Sequence, residues 1–240
     1  MEMPIDLQHQ MMGYDRTTTM FSPEGHLLQV EYAEKTIRLG AASLGLVCSD
    51  GVVIVADKRA GNKLLSDSYK IFEIDSHVMA SAAGILSDAR VLVERAQLLA
   101  QQNRVTYDTA IDVESIVKEI TSIKQAATQY GGVRPFGVAI IVTGINPDGD
   151  AKLFVTDVTG NYIAYKAIAV GENDDKIKEL LEKSYKESLD VEGGIKLALA
   201  IFRKVLGRKF NLARFDVAYI TKKEKEIKRV ASENLRKYSR

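Results

Sequence analysis

The chain has 240 residues, 46% of them hydrophobic, and a formal net charge of +1 at pH 7. That apolar fraction supports a sizeable buried core and excludes an intrinsically disordered chain, while the near-neutral balance excludes a strong global field toward nucleic acid or an anionic membrane. A single cysteine, Cys48, excludes an internal disulfide framework, and no apolar run reaches the roughly 18 residues of a membrane span.

Residues Met1 to Gly13 show no hydrophobic period and read as a flexible tail without the basic and apolar blocks of a secretory signal. Ser22-Pro23-Glu24-Gly25 predicts a type I turn, with Pro23 presetting φ and Gly25 freeing the exit. From His26 to Leu39, Leu27, Val30, Ala33 and Ile37 recur at helical spacing, and Gly40 is the expected stop. A hairpin follows: Ala41 to Cys48, a turn at Ser49-Asp50-Gly51, and Val52 to Ala56. Lys70 to Ile74 and Val78 to Ala83 predict a second strand pair around Asp75-Ser76-His77. Two long helices are expected over Ser87 to Asn103 and Val113 to Tyr130. Phe136 to Ile145 and Lys152 to Thr156 read as strands about the Asn146-Pro147-Asp148-Gly149 turn, and Tyr162 to Val170 as one further strand. Helices at Asp174 to Ser188 and Glu192 to Leu206, a strand at Arg214 to Thr221 and a charged helix at Ser232 to Tyr238 complete the chain.

This order is not strict alternation of strand and helix, which disfavours a doubly wound parallel sheet. Hairpins with grouped helices predict two stacked antiparallel sheets with helices on both outer faces. The chain has no linker, repeat or low-complexity tract, so one domain over residues 1–240 is expected.

Four stretches carry a family resemblance: YDRTTTMFSPEGHLLQVEYAEKTIRLG (Tyr14 to Gly40), DGVVIVADKR (Asp50 to Arg59), SDARVLVERA (Ser87 to Ala96) and QYGGVRPFGVA (Gln129 to Ala139). Together, and in this order, they resemble proteasome α subunits of the archaeal kind. The resemblance implies the four-layer αββα N-terminal-nucleophile hydrolase fold over 41–240, preceded by an α-type gate tail and helix over 1–40. It also separates this chain from the catalytic β type. There a threonine is the first residue of the trimmed chain, its hydroxyl the nucleophile and its own amine the base. Ala41 stands at that place and forty residues precede it, so no catalytic residue is assigned. Asp57 and Lys70 fall where the β type keeps its supporting acid and lysine.

For the α type, the resemblance implies that Lys70 lies in a pocket between neighbouring subunits and pairs with the C-terminal carboxylate of a docking activator, with Gly40 and Ile85 as pocket neighbours. On the residues alone, Lys70 reads as a strand-end surface lysine. The resemblance likewise implies that Tyr14, Asp15, Pro23 and Tyr32 hold the tail aside from an axial pore. Tyr14 and Tyr32 serve equally as packing residues on a residue-only reading. The helix from His26 is an amphipathic helix on its own core, and in the family a ring-building element as well.

Other signals lead nowhere. Thr17-Thr18-Thr19 lies in a loop upstream of the strand that would need a nucleophile. Cys48 has no nearby His and reads as a small core residue. His9, His26 and His77 lack metal-ligand spacing. Gly131-Gly132 is followed by no Gly-Lys-Ser/Thr, so it reads as a turn and not a phosphate loop. Lys222, Lys223 and Lys225 alternate with Glu224 and Glu226, as on a solvated face. The implied function is a non-catalytic, cytoplasmic subunit with no cofactor and no metal. Its implied partners are a homo-heptameric α ring, proteasome β subunits and an ATP-dependent unfoldase, without nucleic acid or membrane. The alternative is an autonomous N-terminal-nucleophile hydrolase activated by self-cleavage.

Overall fold

A computed structural model describes residues 12–59 and 69–238. Most of the expected tail, Met1 to Met11, lies outside the described residues. A short 3₁₀ turn, Tyr14–Arg16, precedes helix α1, Leu28–Leu39. The first hairpin is β1, Ser43–Val47, with β2, Gly51–Asp57; the second is β3, Ile71–Asp75, with β4, Val78–Gly84. Helices α2, Leu86–Tyr107, and α3, Val113–Gln129, follow. Then come β5, Val138–Ile145, β6, Ala151–Thr156, β7, Tyr162–Ala164, and β8, Ala167–Val170. Helices α4, Asp174–Ser184, and α5, Val191–Leu206, precede β9, Phe215–Thr221, and β10, Ile227–Arg229.

The strands form two five-stranded antiparallel sheets, ordered β10-β9-β2-β1-β8 and β3-β4-β5-β6-β7. Period-two alternation builds three apolar layers from them. In β2, Val52, Ile54 and Ala56 join Met79, Ile141, Leu153 and Ile220 between the sheets. Val53 and Val55 point the other way, onto Ile177, Ile195, Leu199 and Phe202 of α4 and α5. On the far side, Val78, Ala80, Ile140 and Val142 meet Leu92, Ile116, Val117 and Ile120 of α2 and α3. The result is the expected αββα sandwich. Helix α3 displays the expected apolar face, and burial of that stripe does more than propensity to make it helical. Cys48 is buried, and burial pushes its thiol up to about 12. It is a core residue with Gly194 packed against it.

Three expectations need correction, and one strand is additional. Tyr162 to Val170 is not one strand. It breaks at Tyr165-Lys166 into β7 of one sheet and β8 of the other. Tyr165 donates its N–H to Leu153 O at 2.9 Å, while the Lys166 carbonyl accepts from Val47 N–H at 2.8 Å, so the chain crosses between sheets there. The helix expected to Ser188 ends at Ser184, because Tyr185 turns extended and its hydroxyl donates to Val47 O at 2.9 Å. Ser232 to Tyr238 contains only a 3₁₀ turn, Asn234–Tyr238, anchored by buried Leu235. Strand β10 was not expected; it pairs β9 through the largely exposed Lys222–Glu226 turn.

Candidate functional site: a lysine cavity beside helix α1

Gly40, Lys70 and Ile85 line one cavity of about 380 Å³, together with Thr36, Leu39 and Ala41 among others. Three elements bring them together. Gly40 ends α1, Lys70 precedes β3, and Ile85 links β4 to α2. The crossing of α1 over β4 is main chain on main chain: a Cβ on Gly40 would stand 2.2 Å from the Gly84 amide nitrogen. Gly40 has an ordinary φ of −68°, so it is glycine for closeness and not for a left-handed cap. Gly84 does need its freedom, with φ +120° and a virtual Cβ 2.2 Å from the Gly137 carbonyl oxygen.

Lys70 is not a surface lysine. It is 5% exposed. Its ammonium donates to the Ala41 carbonyl and, at 3.2 Å, to the Asp57 carbonyl. Burial lowers its pKa to about 7, against a smaller upward pull from Asp57. The main chain of the lysine is fixed as firmly as its head. Asp216 Oδ2 accepts the N–H groups of Lys70 and Ile71 at 2.9 and 3.0 Å, and Ser81 donates to the Lys70 carbonyl at 3.0 Å. Asp57 faces elsewhere: its carboxylate takes a two-pronged grip from Arg214, at 2.6 and 3.1 Å.

Ile85 is held through the next turn. Asp88 binds Arg134 in a fork at 2.6 and 2.7 Å and accepts the Gly137 N–H at 2.9 Å. Burial works against the Asp88 charge, but the Arg134 and Gly137 hydrogen bonds together hold its carboxyl below the usual range. Thr36 of α1 then donates to the Gly137 carbonyl at 2.8 Å, tying the helix to the same loop.

Tyr14, Asp15, Pro23 and Tyr32 lie along the chain that leads into α1 and on that helix itself. Tyr14 and Asp15 form the 3₁₀ turn, which Gln29 of α1 fastens by donating to the Asp15 carbonyl at 2.5 Å. Pro23 sits exposed in a closed turn in which Gly25 N–H donates to Ser22 O at 2.9 Å. Tyr32 lies on α1 with the Lys35 ammonium 5.2 Å from its ring centre.

Residues 37–220 match the family described as "Proteasome subunit". The chain belongs to that family. Residues 14–35 match the N-terminal signature of its A-type members, a segment that contains all four of the residues just described. Proteasome alpha subunits of archaea are similar along nearly the whole chain. That of Methanocaldococcus jannaschii is 44% identical, covering 94% of this chain and 86% of the relative. The Archaeoglobus fulgidus protein is 42% identical, covering 95% and 92%. The Pyrococcus horikoshii protein is also 42% identical, covering 94% and 86%.

Within the proteasome family this is a non-catalytic, alpha-type chain. Ala41, which the family resemblance sets at the place of the β-type threonine, has no hydroxyl, and its carbonyl accepts from Lys70.

Sequence reasoning missed Asp216, Arg214 and Arg59. Asp216 carried a signal, since a lone carboxylate interrupts the apolar run of β9. Arg214 carried none, lying 157 positions from the acid it holds. Arg59 closes the family-like stretch DGVVIVADKR and lines the cavity rim, donating to Leu39 O at 3.1 Å and to Glu172 at 2.6 Å.

Proposed function

We propose that this chain builds the outer, seven-membered ring of a 20S core particle in the cytoplasm, stacked on a ring of proteasome β subunits. The ring gates substrate access through its tail and docks an ATP-dependent unfoldase at its outer face. Docking is by the Lys70 cavity, which receives the unfoldase's C-terminal carboxylate. The observation that carries this reading is the convergence of Lys70, Gly40 and Ile85 on one cavity of about 380 Å³. A cavity of that size suits a chain end more than a folded surface. The ammonium has three donors and among the described residues spends two on carbonyls, which leaves one for a carboxylate.

The gate reading is supported by the 3₁₀ turn at Tyr14–Arg16. Fastened to α1 by Gln29, it gives the tail a fixed base from which to cover or clear a pore.

The test is made on the assembled particle of this chain and its β partner. Native mass must give a multiple of seven α chains. A short peptide ending in a free carboxylate must accelerate degradation of an unfolded protein, and its amidated twin must not. Equal stimulation by both peptides, or by neither, would sink the docking assignment. Deletion of residues up to Met12 must give the same acceleration without any peptide; no acceleration would overturn the gate.

A further inference from the structure

Beside the lysine cavity lies a second, larger one of about 1330 Å³. Its walls are the end of α5, the loop from Gly207 to Arg214 and the turn around Arg236. Six cations line it: Arg59, Arg203, Arg208, Lys209, Arg214 and Arg236, against the two carboxylates Glu172 and Glu233. In a chain of net charge +1, this is a strong local concentration of one sign. Three of the six are already engaged. Arg59 pairs with Glu172, Arg214 with Asp57, and Arg203 lies 5.1 Å over the Phe210 ring. Arg208, Lys209 and Arg236 are exposed and have no ion pair among the described residues.

The two cavities are neighbours, since Arg59 lines both. They are also mechanically joined. Arg214 grips Asp57 beneath the lysine cavity and donates to the Lys209 carbonyl at 2.9 Å, so it fixes the loop that carries Arg208 and Lys209.

We propose that the large cleft binds an extended acidic segment of the docking partner's polypeptide, lying alongside the tail whose carboxylate enters the Lys70 cavity. This rests on the docking reading for the partner's identity, and on the cleft alone for its chemistry. The floor distinguishes a polypeptide from other polyanions. Leu206, Phe210 and Leu212 supply apolar surface between the cations, which suits mixed acidic and apolar side chains and is wasted on a polyphosphate. A single-stranded nucleic acid would want a free aromatic face to stack on. Phe210 offers none, being covered by Arg203 and packed on Phe215 at 5.4 Å.

The experiment uses fluorescence anisotropy on the assembled full-length chain. The probe is a short Glu- and Leu-containing peptide with an amidated C-terminus, so that it cannot use Lys70. It is expected to bind, to weaken as salt rises, and to lose at least about tenfold in affinity when Arg208, Lys209 and Arg236 are together changed to Glu. These three are exposed and in no ion pair among the described residues, so the variant is expected to keep its melting temperature, and that is measured alongside the binding. No binding, or binding that ignores the charge reversal, overturns the cleft proposal and leaves the lysine cavity untouched. Tighter binding of an oligothymidylate than of the peptide overturns the choice of polypeptide. If the amidated acidic peptide binds while a neutral peptide with a free carboxylate does not, the cleft stands and the Lys70 docking reading falls.

Discussion

The Lys70 ammonium is held by the carbonyl oxygen of Asp57, at 3.2 Å, and not by its carboxylate, which belongs to Arg214. The cation is thus buried against carbonyl dipoles, with the Asp57 carboxylate paired to Arg214. This leaves Lys70 close to its own titration point at neutral pH and available to an incoming negative charge.

Docking should therefore weaken as pH rises. With the Lys70 pKa lowered to about 7 from 10.5, the ammonium is present below about 7 and lost above it. Affinity for a peptide with a free C-terminal carboxylate is expected to fall between about pH 6 and pH 8, roughly tenfold per unit once the amine is neutral. Isothermal titration across that range checks it. A flat profile would mean that Lys70 is not the partner.

Lys124 presents the same physics without a ligand. It is wholly buried in α3, donating to Val138 O at 2.8 Å and Thr156 Oγ1 at 3.0 Å, and burial lowers its pKa to about 7. A lysine depressed in the folded state binds fewer protons there than when unfolded. Stability therefore climbs as pH rises from about 7 toward 10.5, and the cost of the buried charge is fully present below 7. Lys124→Met should raise stability at pH 6.5 by about 1–2 kcal/mol, as expected of removing a buried charge. It should also flatten part of the pH slope, Lys70 supplying the remainder. Denaturant midpoints at two pH values decide it.

Arg214→Ala should destabilise the fold by about 3 kcal/mol or more, because it strands the Asp57 carboxylate, which is 3% exposed. Pairing it with Asp57→Asn should recover a large part of the loss, and a double-mutant cycle measures the coupling. Additive losses would show that the pair is not interacting.

Gly40→Ala is expected to cost about 1–3 kcal/mol, since the new methyl must push α1 away from the Gly84 main chain. The substitution is conformationally harmless at φ −68°, so any loss measures the crossing alone. The melting temperature should fall, and carboxylate-peptide binding with it. An unchanged melting temperature would mean the crossing is looser than this geometry.

Much of this was legible in the amino-acid order. The hairpins announced themselves through Ser49-Asp50-Gly51 and Asn146-Pro147-Asp148-Gly149, and the helices through apolar residues three and four apart. The sheet change at Tyr165-Lys166 was hidden because the alternation of β7 runs on into β8 without a Gly or Pro to mark the crossing. Strand β10 was hidden in a charged run, where Ile227 alone signals burial. At the site, Gly40, Lys70 and Ile85 could be brought together only through family resemblance. Their partners Asp216 and Arg214 depend on pairings across most of the chain, which no local pattern encodes.

The crossing of α1 over β4 has a further consequence. Where two backbones touch with no room for a Cβ, the wall they form has no side chains to vary. The inner surface near Gly40 and Gly84 is then the same for any compatible sequence, as a lock cut in the frame of the door. Drift between relatives can reshape the cavity only where side chains line it, as at Leu39, Lys58 and Leu86. If the cavity docks a chain end as proposed, partner choice falls to those side chains, while the Gly40–Gly84 wall is a property of the fold.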